Sequence, residues 1–227
     1  HGVGSLIAAA LDAGARRIVL GLGGSVTVDG GAGLLEALGA RHLDAAGDPI
    51  ARPAGRRLAE VARVDLSGVD PRLREAVVEV ASDVDNPLAG ENGAAAVFGP
   101  QKGVAPADVT AFDAALRHYD RVIAEARGGA PLADEPFAGA AGGMIVGLSA
   151  ARAPVCRDGF ALLAEATGLA GALAAADLVV TGEGSLDGQS LGGKGPVALA
   201  RMARERGTPC IAFAGRLAVD PATLAAE

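Results

Sequence analysis

The chain has 227 residues, a net charge of −7 with no block of like charge, and a composition that is 50% apolar but only 3% aromatic. That length and apolar fraction allow one large domain or two small ones, with a core of closely packed small and aliphatic side chains. The charge balance excludes a nucleic-acid binder, which needs a concentrated basic face; no apolar run reaches membrane-spanning length, and the expected partner is a small molecule.

Cys156 and Cys210 stand alone, without metal-ligand spacing. They read as reduced thiols of a cytoplasmic protein rather than a disulfide framework. His1, His42 and His118 are scattered, and the last two read as surface residues. The chain starts at His1 without a methionine and ends at Glu227 inside an expected helix, which suggests a fragment of a longer protein.

In chain order, residues 5–13 predict a helix with Leu6, Ile7, Ala10 and Leu11 on its apolar face and Gly14 closing it. RIVLGL at 17–22 is a buried strand, followed at once by a Gly-rich loop at 23–33 (GGSVTVDGGAG) and a helix at 32–38. This alternation predicts an α/β protein with a largely parallel sheet. Ligands bind at strand ends in such sheets, so Ser25, Thr27 and Asp29 face either a ligand or local backbone, with Asp29 as a cap of the next helix. The loop resembles a dinucleotide fingerprint only loosely, because Val26 stands where a third glycine is required after Gly21 and Gly23.

Residues 40–51 read as a hairpin around an Ala-Gly-Asp turn, 56–62 as a short helix and 77–81 (VVEVA) as a strand. In SDVDN at 82–86, Asp83 and Asp85 alternate and so project to one side of an extended segment. Two such carboxylates want a cation or a donor between them; the competing reading is a solvated turn ending at Asn86-Pro87. A short helix at 90–98 breaks at GPQKG (99–103), which carries Lys102. Residues 107–127 form the longest helix, with Phe112, Leu116, Tyr119, Val122 and Ile123 on one face, and Gly128-Gly129 ends it. GAAGGMIVGLSA at 139–150 starts a small-residue helix, which implies close backbone contact. Two short helices follow at 158–166 and 169–175.

The stretch 177–207 is read as a strand at 177–181, a Gly-rich loop at 182–195 and a helix from Pro196. A helix N-terminus with glycines before it attracts phosphate. GQSLGGKG at 188–195 nearly matches a P-loop, but Gly195 stands where that motif needs Ser or Thr. Glu183 and Asp187 beside Lys194 suit a metal–phosphate site; the competing reading is a solvated turn. A last strand is expected at 210–214, ending in Gly215-Arg216.

Four runs taken together, GGSVTVDGG (23–31), DVDNPLAGENGAAAVFGPQKG (83–103), GAAGG (139–143) and TGEGSLDGQSLGGKGP (181–196), resemble the bacterial type I glycerate kinase family over essentially the whole chain. The resemblance implies ATP-dependent phosphorylation of D-glycerate with Mg2+. It also implies two α/β domains with mostly parallel sheets, one inserted in the other, with the active site in the cleft between them. Residues 1–168 would be most of the inserted domain and 169–227 the returning segment of a Rossmann-like first domain. The family's Asp-Ser-Phe-Lys-Gly and Ala-Asp-Gly-Gly-Glu-Gly runs are not in this sequence, Val28 replaces a common Asn and Ser82 a common Cys.

Phosphoryl transfer needs positioning and charge neutralisation more than covalent chemistry. On that basis Lys194 and the start of the Pro196 helix, with Gly182 and Gly184, would hold ATP phosphates. Glu183 and Asp187 would bind Mg2+, Asp187 serving catalysis as well. Asp83 or Asp85 would orient or deprotonate the glycerate hydroxyl, while Ser25, Asp29 and Asn86 would hold its polar groups. Lys102 or Arg216 would face its carboxylate. Two rival readings are a dinucleotide-dependent oxidoreductase and a non-catalytic small-molecule-binding fragment.

Overall fold

The computed structural model describes residues 1–188, 190–192 and 195–226. They form an α/β structure that divides into two compact units, His1–Arg157 and Asp158–Glu227.

The first unit opens with α1 (Gly2–Asp12), which buries Ile7 and Leu11. Gly14, at φ +85°, turns the chain into β1 (Arg17–Gly21). Then come α2 (Ala32–Ala37), β2 (Arg41–Leu43), β3 (Arg63–Asp65), α3 (Arg72–Glu75) and β4 (Val77–Ser82). The unit continues with α4 (Val109–Arg127) and α5 (Met144–Ala151), and β5 (Val155–Asp158) ends at the unit boundary. β1 and β4 pair in parallel from Arg17 opposite Val77 to Gly21 opposite Ala81, in a sheet of order β1-β4-β5. Glu79 sits in the middle of this sheet, 6% exposed. It is tolerated there because Arg17 bonds one carboxylate oxygen and Arg157 Nη1 the other at 3.1 Å. Those guanidinium bonds hold its carboxyl below the usual glutamate range.

The periodic face expected of the longest helix is the one α4 buries: Leu116, Tyr119 and Ile123 are each 1% exposed or less. Burying Leu116 and Ile123 contributes about 1.5–3 kcal/mol each. Gly128, at φ +67°, ends the helix in the left-handed conformation that glycine adopts without penalty.

The hairpin at 40–51 reduces to its turn, held by Asp44 Oδ1 accepting from the N–H groups of Ala46 and Asp48, and a single bridge between Leu43 and Pro49. Pro49 has no N–H to extend a ladder, and β2 pairs instead, antiparallel, with β3. His42, expected at the surface, is 2% exposed, because a buried hydroxyl meets it: Nε2 lies 2.8 Å from Tyr119 Oη.

The second unit contains α6 (Gly159–Thr167), α7 (Leu169–Ala174), β6 (Val179–Leu186), α8 (Gly195–Arg204), β7 (Cys210–Leu217) and α9 (Pro221–Ala226). Asp158 caps α6 by accepting from Ala161 N–H at 2.7 Å. β6 and β7 are parallel neighbours joined through α8, and Leu173, Val179 and Ala203 form the buried centre of the unit. Among the described residues, no helix is long and apolar enough to cross a membrane.

Candidate functional site

Because β1 and β4 are parallel neighbours in register, the loops that follow them, 22–31 and 82–87, leave the sheet at the same end. Both lean on the small-residue segment at 137–147. Gly30 N–H donates to Gly142 O at 2.9 Å and Gly147 N–H to Gly30 O at 2.8 Å; Phe137 N–H donates to Asp85 O and Gly139 N–H to Asn86 O. The packing leaves no room for side chains. A Cβ on Gly142 would lie 2.1 Å from Thr27 O, and one on Gly139 2.2 Å from Pro87 O. Phe137 and Ala141 take left-handed φ values of +69° and +50°, a strained conformation that persists only where the surroundings over-determine it.

Lys102 reaches across to the first of these loops. Its Nζ donates to Ser25 Oγ at 2.9 Å and to Thr27 O at 3.1 Å. An ammonium has three donors, so among the described residues one is left for a ligand. Burial pushes Lys102 below the usual lysine range, and the Asp29 carboxylate offsets part of that. Asp29 itself is 8% exposed and turns inward, as the capping reading allows: Oδ1 accepts from Gly31 N–H at 3.0 Å and Oδ2 from Gly33 N–H at 3.3 Å, at the start of α2. Thr27 contributes its carbonyl rather than its hydroxyl.

Behind the loop, the Tyr119 ring packs on Gly30, where a Cβ would be 2.7 Å from Cδ1. Burial raises the Tyr119 hydroxyl well above its ordinary pKa and lowers that of His42, so the pair stays neutral. Asp83 and Asp85 are exposed at the neighbouring strand end, and Asn86 donates from Nδ2 to Asn92 O at 2.9 Å. Ser25, Thr27, Asp29 and Lys102 therefore form one constellation, and Asp83, Asp85 and Asn86 occupy the adjacent loop. A desolvated ammonium beside a hydroxyl can bind an oxyanion, and exposed carboxylates can accept a hydroxyl proton.

In the second unit the expected loop from residue 182 is corrected, since β6 continues through Gly182, Glu183 and Gly184 to Leu186. Pairing with β7 drives this: Gly182 lies opposite Phe213, and a Cβ there would be 2.6 Å from Phe213 O, so only glycine lets the strands close up. Glu183 thus projects from a strand. Arg216, also expected past a strand end, lies within β7 opposite Ser185 and is exposed.

Glu183 has a partner that sequence reasoning missed. Ser190, 4% exposed, donates from Oγ to Glu183 Oε1 at 2.9 Å and accepts from Asp187 N–H at 3.2 Å. The one sequence signal was a serine three residues after Asp187. Lys194, assigned to phosphate binding, lies outside the described residues, as do Gln189 and Gly193. Among the described residues no three His, Cys, Asp or Glu side chains gather as for a metal cage. Glu183 and Asp187 offer hard oxygen donors that fit Mg2+, which is commonly held by one or two carboxylates with phosphate and water completing the octahedron.

A model of the glycerate kinase family matches residues 1–227. The chain is 46% identical over 217 residues to the glycerate kinase of Halalkalibacterium halodurans, covering 96% of this chain and 57% of that protein. It is 44% identical over 220 residues to the glycerate 2-kinase of Escherichia coli, covering 97% of this chain and 57% of that protein. A crystal structure from Salmonella typhimurium LT2, described as a glycerate kinase 2, superposes with a TM-score of 0.81 at 44% identity over 95% of this chain and 59% of that one. The chain thus spans less than two thirds of the length of these relatives.

Proposed function

The chain belongs to the glycerate kinase family, and on that premise we propose that its full-length protein transfers the terminal phosphoryl group of ATP to D-glycerate, giving 2-phosphoglycerate. The observation that carries this reading is the Lys102–Ser25–Thr27 corner, a partly desolvated ammonium with a donor to spare at the end of the β1–β4 pair. Glycerate is a hydroxy-carboxylate, and the corner offers a cation for its carboxylate and a hydroxyl beside it. Asp83 or Asp85, exposed on the adjacent loop, accepts the proton of the attacking hydroxyl, and Asn86 helps hold the acid. Asp29 keeps the loop in shape through Gly31 and Gly33 and tempers the desolvation of Lys102.

The nucleotide belongs to the second unit. Gly182, Gly184, Lys194 and the start of α8 receive its phosphates, Glu183 and Asp187 receive the metal, and exposed Arg216 shares a sheet face with Glu183. Mg2+ bound there would neutralise the charge carried by the phosphates during transfer. The name of the Escherichia coli relative favours the 2-position. An inserted-domain topology and a cytoplasmic setting, in which Cys156 and Cys210 stay thiols, belong to the same reading.

The test is an ADP-release assay on the full-length protein with ATP, Mg2+ and D-glycerate, the product position being read by NMR. Glycerate-dependent ADP release with phosphate on C2 is expected. ADP release indifferent to glycerate would overturn the function, and phosphate on C3 would overturn the position. Within the full-length protein, Asp187→Asn with normal turnover and normal Mg2+ dependence would remove Asp187 from the metal site.

A further inference from the structure

We propose that Ser190 is the positioning residue of the metal–phosphate site, aiming the Glu183 carboxylate at the metal; this rests on the metal assignment above. Ser190 is almost fully buried, at 4% exposure, in the short turn Ser190–Gly192. A buried hydroxyl is costly unless both its donor and its acceptor capacity are used. Here both are: Oγ donates to Glu183 Oε1 at 2.9 Å and accepts from Asp187 N–H at 3.2 Å. Ser190 N–H also donates to Asp187 O at 3.0 Å, closing the turn.

The consequence is specific to the two acids. One serine ties the Glu183 carboxylate to the main chain of the loop residue Asp187, so the strand end and the loop that carries the second acid are joined before any ligand arrives. Because Oε1 accepts from Ser190, the carboxylate cannot rotate freely. Carboxylates that ligate metals are typically held by such outer partners, and losing one costs about 10–100-fold in metal affinity. A serine serving only to close the turn would need the bonds to Asp187 and not the one to Glu183.

The experiment measures binding rather than turnover. Affinity of the full-length protein for a non-hydrolysable ATP analogue is determined by calorimetry with Mg2+ and with EDTA, for the parent, Ser190→Ala, Ser190→Thr and Glu183→Gln. Ser190→Ala is expected to cut the Mg2+-dependent gain in affinity by about 10–100-fold while leaving metal-free binding unchanged, and Ser190→Thr to restore the gain. If Glu183→Gln abolishes the gain but Ser190→Ala does not, Ser190 only closes the turn and the proposal is overturned, with the metal assignment intact. Equal weakening with and without Mg2+ in Ser190→Ala overturns it in the same way. If Glu183→Gln also leaves the gain untouched, the metal assignment itself fails and this inference falls with it. Should alanine open the turn, as melting curves would report, Ser190→Cys keeps the volume with only a weak donor and gives the same readout.

Discussion

Replacing Gly142 with alanine tests how the β1 loop is held. Gly142 sits at φ +71°, where a side chain costs about 1–2 kcal/mol. The new Cβ would also lie 2.1 Å from Thr27 O, where ordinary contact begins at 3.4 Å, so the loop must retreat by about 1.3 Å. Overpacking of this kind adds about 1–3 kcal/mol. The sum, about 2–5 kcal/mol, leaves a protein of ordinary stability folded but lowers its melting temperature by about 4–20 °C. Thr27 O is also the acceptor that anchors Lys102 Nζ at 3.1 Å, so the same retreat displaces the ammonium from its place. A misplacement of about 1 Å costs on the order of 100-fold in rate, and kcat/KM for glycerate in the ADP-release assay should fall by that much. Gly14→Ala is the control: at φ +85° with open space around its Cβ, it carries the backbone cost without the clash, and kcat/KM should hold. Gly142→Ala with the melting temperature and kcat/KM of Gly14→Ala would refute the idea that this glycine sets the position of the Lys102 corner.

Tyr119→Phe leaves His42 with neither ring nitrogen paired, since Nδ1 already lacks a partner among the described residues; a loss of about 1–3 kcal/mol is expected in a denaturant titration. Lys102→Met should raise KM for glycerate by about 10-fold or more with a smaller effect on kcat, as removal of a binding contact does. Carboxylate binding needs the protonated ammonium, and burial sets its pKa below the ordinary lysine value. Affinity should therefore be lost as pH rises through that lowered pKa, short of where an exposed lysine would titrate. Lys102→Arg should abolish the alkaline rise in KM, because a guanidinium stays charged throughout.

Elements with strong local periodicity were readable from the sequence: β1 and β4 as apolar runs, although β1, expected to be buried, exposes Val19 at 48%, and α4 from its buried face at Leu116, Tyr119 and Ile123. The close packing expected of GAAGG is present in the contacts of Gly139 and Gly142 with the two strand-end loops. β3 and β5 were not readable, being three and four residues long with charged members. Residues 182–186 looked like a loop because glycine is a poor strand former, but a partner strand and a close approach at Gly182 override local preference. His42 gave no local sign of burial, since its partner Tyr119 lies 77 positions away. Lys102 lies in a run that breaks a short helix, and only its bonds to Ser25 and Thr27, likewise distant in sequence, place it in a site. Asp29 was open between cap and ligand, and its two backbone donors at the head of α2 account for both of its oxygens.

The most direct measurement is a crystal structure of the full-length protein with D-glycerate, Mg2+ and a non-hydrolysable ATP analogue. The glycerate carboxylate is expected on Lys102 Nζ beside Ser25 Oγ, and the metal on Glu183 and Asp187. Glycerate bound away from the loops after β1 and β4, with Lys102 touching no ligand atom, would contradict that placement.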